Sequence, residues 1–522
     1  MAQIFIDKGK KEAELKNKNE FEVELQLNQI YREAIQTTNF TLGNRTLKAY
    51  ENNVLVYIIY KISTGISHIA LSYYFGESIY SEIFKLCEKK IIKESNNSLL
   101  PYHDIYISAF GLIKSNLCDK TLEKFVLYAQ KNGYISKSKM FSVLIDIGNE
   151  CFWKYRQQAS EYRDLLHNCA DYTGALEIAK MLQKCNKKIL NDYSYEDCQN
   201  LFVMANCIKY TTSYDQANEE FSVIEKIYEA TRNDNFLDLF LESQTEIINN
   251  HIWMLNIKEA LRILDEIKPL LDELYQRKMI VGKHLVNAFL NYYNRKMFIN
   301  HMIDKGAAFD YKEAIRFSKE LNRDEYIAFA KMDYAKSLYD QDLDKALKLL
   351  SEAHQFFITV NEKRRELDAE SEICFIKDLI NGDISYNSYA FIKKEMICNN
   401  YIQSKIKIQL KLIILRLLFG NESSQNIRDD LDSISINNTS IFSGKRHQAF
   451  INHIYAATYY KECNFTMSKN YSNKSLYLMK ELGEAYTKVH NNNIELTGYK
   501  GFSIINNENC DDSSFIIDIR VW

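Results

Sequence analysis

The chain has 522 residues, 46% of them hydrophobic and 26% charged, with a net charge of −3; this excludes a disordered chain and gives no overall attraction to nucleic acid or acidic lipid. Two prolines and sixteen glycines are too few for the turns and phosphate loops of a large β-sandwich or doubly wound α/β domain, so long helices joined by short polar turns are expected. Eleven scattered cysteines without a Cys-x-x-Cys pair, no apolar leader and no apolar run of membrane length predict reduced thiols in a cytoplasmic chain with no disulfide framework and no membrane partner.

Residues 1–150 read as a helical N-terminal block, either a cap or a set of atypical repeats. Residues 22–35 form an amphipathic stripe through Val23, Leu27, Ile30, Tyr31 and Ala34. Residues 66–92 are a long apolar and aromatic segment, and residues 121–130 another helix. Pro101 sits where it would begin a helix. The lysine clusters at Lys8, Lys10 and Lys11 and at Lys89, Lys90 and Lys93 read as solvated faces.

From residue 151 to 490 the text repeats. Ala175, Ala179 and Leu182 suit the second helix of a hairpin. Leu201, Met204, Ala205 and Ile208 then recur at helical spacing, followed by a polar turn and by Ala217, Phe221 and Ile224. Small residues at the middle of each helix let a pair approach closely, and the larger ones lock ridges into grooves. Ala260, Leu264 and Ile267 repeat the second helix, although Ile248 and His251 stand in the first-helix places. Pro269 is expected to kink or delay its helix. Ala335 and Leu338 with Ala346, Leu350 and Ala353 form another copy. Ala456, Tyr459, Ser468, Ser472 and Ser475 follow the same pattern with serine in the small places.

This arrangement resembles the tetratricopeptide repeat, whose pattern of large, large–small and aromatic or aliphatic places, then Ala, aromatic and Ala, is matched by Leu201, Met204, Ala205, Ile208, Ala217, Phe221 and Ile224. Ala175, Ala217 and Ala260 lie about 42 residues apart, and Ala346 and Ala390 about 44, against about 34 in the family. The resemblance implies an all-α fold, a right-handed α-solenoid of degenerate, long hairpins. An irregular helical bundle is the competing architecture.

Residues 491–522 change character. Asn491, Asn492 and Asn493 end the helical text. Two short apolar segments, around Ile504 and Ile505 and from Phe515 to Trp522, flank an Asn/Asp-rich stretch and read as a β-hairpin that caps the last repeat, with Trp522 as anchor.

No Gly-x-Gly-x-x-Gly, Walker-type loop, His-Glu-x-x-His or Gly-x-Ser-x-Gly occurs. His167 and Cys169, or His447 and His453, lack the spacing that puts two metal ligands on one helical face. No catalytic residue, metal site or cofactor is therefore expected. Adjacent aromatics such as Tyr292 and Tyr293 suit either contacts between repeats or a binding groove. Stacked hairpins bind proteins or peptides on a curved wall, so the leading expectation is a recognition subunit, the sensor or adaptor of a bacterial-type regulatory or defence system. A diverged nuclease or hydrolase in residues 1–150 and a nucleic-acid-binding solenoid are the alternatives, the latter disfavoured by the acidic balance.

Overall fold

The computed structural model describes residues 50, 52–102, 116–184, 193–231, 233–303, 305–398, 401–437, 444–504 and 514–519. The amphipathic stripe at 22–35, Ile505 and Trp522 lie outside them. The chain divides into two compact units, Met1–Tyr162 and Arg163–Trp522.

The first unit contains α1 (Val54–Ile62), β1 (Ile66–Ser67), α2 (His68–Phe75), α3 (Ile79–Glu88), β2 (Ile92–Ser95), β3 (Ser98–Pro101), α4 (Asn116–Lys131), α5 (Lys137–Ile147) and α6 (Asn149–Trp153); α7 (Arg156–Asn168) crosses its boundary. Asn53 caps α1, its side chain accepting from the Val56 amide. Every side chain from Leu55 to Ile62 is buried, so α1 is the central helix, wrapped by α4, α5 and the sheet. The Tyr60 hydroxyl donates to the Ile91 carbonyl at 2.5 Å, fixing α1 against the start of β2.

This unit corrects the all-helical reading of residues 66–92. The segment holds a strand, two helices and the start of a second strand. The sheet is antiparallel in the order β1-β3-β2, with Ile66 opposite Leu99 and Ile92 opposite Pro101. Asn96 and Asn97 both take positive φ, 50° and 61°, which two-residue hairpin turns demand and asparagine tolerates. Pro101 ends β3 and begins no helix. Proline is tolerated there because β1 pairs only with Ser98 and Leu99, so at Pro101 the strand has β2 on one side alone and is locally an edge.

The second unit is a packed series of helices: α8 (Tyr172–Lys184), α9 (Tyr195–Thr211), α10 (Tyr214–Thr231), α11 (Leu237–Trp253), α12 (Ile257–Gln276), α13 (Lys283–Met302), α14 (Ala308–Glu320), α15 (Asp324–Lys336), α16 (Leu343–Thr359), α17 (Lys363–Asn381), α18 (Tyr386–Cys398), α19 (Ile402–Phe419), α20 (Ser424–Asn437), α21 (Lys445–Lys461), α22 (Phe465–Leu478) and α23 (Glu484–Glu495). Each packs on its sequence neighbours, and α9, α11 and α13, like α17, α19 and α21, also touch along the first helices of successive hairpins. α12 and α16 bury one stripe, as in Ala260, Ile263, Leu264, Ile267, Leu271 and Leu274. First helices such as α9 and α11 are buried on most sides, polar residues included.

Four further expectations change. α12 begins at Ile257 and runs on through Pro269, so the proline does not delay the helix. On α18 it is Tyr389 that is buried, while Ala390 faces solvent, so the repeat is displaced by one residue there. The helical text continues past Asn491 to Glu495, and Asn493 is buried. The tail is a strand pair but not a hairpin. β4 (Phe502–Ile504) and β5 (Phe515–Ile517) run parallel, Phe502 opposite Phe515. Their direction is set by what β5 packs on, α21 and α23, since no tight two-residue turn joins them.

Candidate nucleic-acid interface

The repeat residues fall where packing uses them. Leu201, Met204, Ala205 and Ile208 are buried on α9, and Ala217, Phe221 and Ile224 on α10. Ala335 on α15, Leu338 just beyond it, and Ala346, Leu350 and Ala353 on α16 are buried as well. These residues build the scaffold and expose nothing to a ligand. His447 and His453 lie on α21 but apart: His447 stacks on Trp253 at 5.1 Å, and His453 meets Phe515 and His490. Among the described residues, no three His, Cys, Asp or Glu side chains are grouped to hold a metal.

The arrangement that sequence reasoning missed is in the first unit. α2 and α3 are joined by Gly76, Glu77 and Ser78. Gly76 turns the chain at φ 90° with nothing within 4 Å of where a Cβ would stand, so conformation alone favours glycine here. Ser67 caps α2, its hydroxyl accepting from the Ile69 amide at 3.2 Å. On α3, Ile79, Ile83 and Leu86 are buried at helical spacing, which turns Tyr80, Ser81, Phe84, Lys85 and Glu88 outward. The β2–β3 ribbon follows at once, and β1, from the segment before α2, pairs with its far strand. Two helices thus join on a three-residue glycine turn, the second with its outer side chains exposed, and a two-stranded ribbon follows it.

The electrostatics of this face are local. Glu82 accepts from the Asn53 side-chain amide at 2.6 Å, and Glu94 meets His68 Nε2 at 2.9 Å. Lys85, Lys89, Lys90 and Lys93 are exposed and form no ion pair among the described residues. Phe84 is 65% exposed and Tyr80 45%, and on α2 Tyr73 is 75% and Ile69 54% exposed. Core packing therefore does not explain these four side chains. Two signals in the sequence mark the element in retrospect. One is Gly76-Glu77-Ser78 interrupting an apolar run; the other is Asn96-Asn97 between β-capable residues.

No protein-family model matches the chain, and no curated protein matches it either. Among solved structures, it is similar to a signal transduction ATPase with numerous domains from Pyrococcus horikoshii that carries a tetratricopeptide repeat sensor. The identity is 14%, over 83% of this chain and 72% of that one, with a TM-score of 0.30.

Proposed function

We propose that this chain is a DNA-binding regulator, in which α3 and the β2–β3 wing of the first unit read duplex DNA and the helical series of the second unit receives a signal. The observation that carries the reading is the order α1-β1-α2-α3-β2-β3 with sheet order β1-β3-β2. This is the order of a helix-turn-helix followed by a wing, and among the described residues of the first unit the outer face of α3 and the tip of the ribbon are exposed. In a helix-turn-helix the second helix enters the major groove and its outward side chains meet base edges. Ser81 and Lys85 are suited to base-edge and phosphate hydrogen bonds, and Tyr80 and Phe84 to thymine methyl groups. Lys89, Lys90 and Lys93 flank them as phosphate contacts. The acidic balance of the whole chain does not weigh against this, because affinity follows the charges at the contact.

For the second unit, stacked hairpins support protein or peptide recognition, the common use of such walls. This is an argument from architecture.

The test is selection of the full chain against a random duplex library at about 50 mM salt, followed by anisotropy titration of the enriched sequence. An enriched motif is expected. Lys93→Ala should lower affinity on all duplexes and reduce the salt slope by about one, whereas Ser81→Ala and Tyr80→Ala should relax preference at single positions. No enrichment, or enriched DNA bound equally well by the α3 and wing variants, would overturn the proposal.

A further inference from the structure

The first unit carries carboxylates on the same elements as its exposed lysines, and two of them are held by neighbours. Asn53 uses both ends of one amide. Its Oδ1 caps α1, accepting from the Val56 amide at 3.0 Å, and its Nδ2 donates to Glu82 Oε1 on α3 at 2.6 Å. That second bond ties the rotation of α3 to the central helix of the unit. At the ribbon, His68 Nε2 at the start of α2 meets Glu94 Oε1 of β2 at 2.9 Å.

Each contact decides what a neighbouring lysine can do. Glu82 and Lys85 stand three residues apart on α3, the spacing at which a glutamate and a lysine pair on a helix surface. The Glu82 carboxylate is turned aside to Asn53 instead, and Lys85 is exposed and forms no ion pair among the described residues. On β2 the side chains alternate between faces. Glu94 shares its face with the buried Ile92 and is drawn to α2, whereas Lys93 lies on the opposite face and is exposed. Glu88 is the last residue of α3, beyond the N-terminal turns that meet base edges in a helix-turn-helix.

A carboxylate released beside these lysines would repel phosphate and would also pair with the cation that could reach it. We infer that Asn53 and His68 are positioning residues of the duplex-binding face: they hold Glu82 and Glu94 aside and so leave Lys85 and Lys93 free to contact phosphate. Both act through a carboxylate. This role rests on duplex recognition by α3 and the ribbon, and it names what keeps that face basic in an acidic chain.

The experiment uses the full chain and an enriched duplex, with anisotropy titrations between about 50 and 200 mM salt and a thermal melt of each variant. Asn53→Asp keeps the cap of α1 but loses the donor and repels Glu82. It should reduce the salt slope by about one and weaken binding roughly tenfold at about 0.1 M salt, with little change in melting temperature. Lys85→Ala should be nearly silent in that background. Adding Glu82→Gln to Asn53→Asp reverses the hydrogen bond, the new amide donating to the new carboxylate, and should restore affinity and slope together. His68→Leu should cost the same at the ribbon, restored by Glu94→Gln, and it reads the effect independently should Asn53→Asp lower the melting temperature. A loss that the Gln partner fails to restore would overturn the inference, as would unchanged affinity and slope in Asn53→Asp or in His68→Leu. Either result leaves duplex recognition standing, because the parent protein still binds. A parent that binds no duplex removes the DNA reading and this role with it.

Discussion

Arg364 donates from Nη1 to the hydroxyl of Tyr172 at 3.0 Å, joining residues 192 apart in sequence. Tyr172 opens α8 and packs at a tilt on Tyr210 at the end of α9, ring centroids 4.3 Å apart, so the start of α17 is brought back to the first hairpins of the unit. A second closure lies beyond it. The Arg446 guanidinium at the start of α21 sits 4.4 Å over Trp253 of α11 and 4.7 Å over Phe298 of α13, and the Gly483 amide donates to the Met302 carbonyl at 3.1 Å. The helices are stacked in order, yet the series winds tightly enough for later first helices to meet earlier ones.

Tyr172→Phe removes one hydrogen bond and keeps the ring contact with Tyr210. A loss of about 1 kcal/mol in unfolding free energy is expected. Arg364→Met should cost at least as much, and the double variant should cost less than the two together. Denaturant midpoints measure all three. Strict additivity would mean that the two side chains do not interact.

Ala217 is fully buried where α10 meets its partner helix, and a leucine there has no space to enter. Ala217→Leu should cost roughly 1–3 kcal/mol, and Lys258→Ala, on an exposed face, less than about 0.5 kcal/mol. Equal shifts in denaturant midpoint would show the assigned register to be wrong.

The hairpins were legible because their determinants are local: Ala205, Ala217, Ala346 and Ala353 stand at spacings that the helical period explains. Tyr389 displaced the pattern by one residue because an aromatic took the inner place and left Ala390 outside. The sheet of the first unit was not legible. β1 is only Ile66 and Ser67, and Lys93, Glu94 and Ser95 of β2 are all exposed, so neither shows the alternation that marks a strand. The helix pair was hidden with it, since α2 and α3 are parted only by Gly76, Glu77 and Ser78, a short interruption in one apolar run. The buried charges of the first helices are hidden in the sequence for another reason. Lys and Glu at helical spacing look the same on a solvated face as on a buried first helix, and only packing distinguishes Lys258 from Lys411.

Glu372 gives a pH signature. Its carboxylate is buried, and burial alone would raise its pKa, but Lys411 and Lys336 hold it down at about 2. The unfolded chain, with an ordinary glutamate near 4.3, takes up the proton first. The stabilisation is therefore complete above that pH and is lost as pH falls through about 2, with a magnitude of roughly 3 kcal/mol. Glu372→Gln should be destabilised at pH 7 and converge on the parent protein as the solution is acidified. Guanidinium unfolding at several pH values between 7 and 2.5 tests this; parallel curves for the two proteins would rule out the assigned role.

The tail offers the sharpest test of how the series ends. Asn493 of α23 holds β5 as a neighbouring strand would: its Nδ2 donates to the Ile516 carbonyl at 2.8 Å, and its Oδ1 accepts from the Ile516 amide at 2.9 Å. Nearby, His453 Nε2 accepts from the Asp518 amide at 2.9 Å. Phe515, Ile517 and Ile519 are buried in the same cluster as Ile454 and Tyr460 of α21. Asn493→Leu preserves the volume but leaves both backbone groups of Ile516 without partners, at a cost of roughly 2–5 kcal/mol. Asn493→Asp keeps the acceptor and loses the donor, so a smaller loss is expected. Removing residues 498–522 takes away the strand and its stranded groups together. The truncated chain should melt lower and aggregate through the exposed face of α21, and in that background Asn493→Leu should be nearly silent. A large effect of Asn493→Leu persisting in the truncated chain would show that the amide stabilises α23 itself and not the tail.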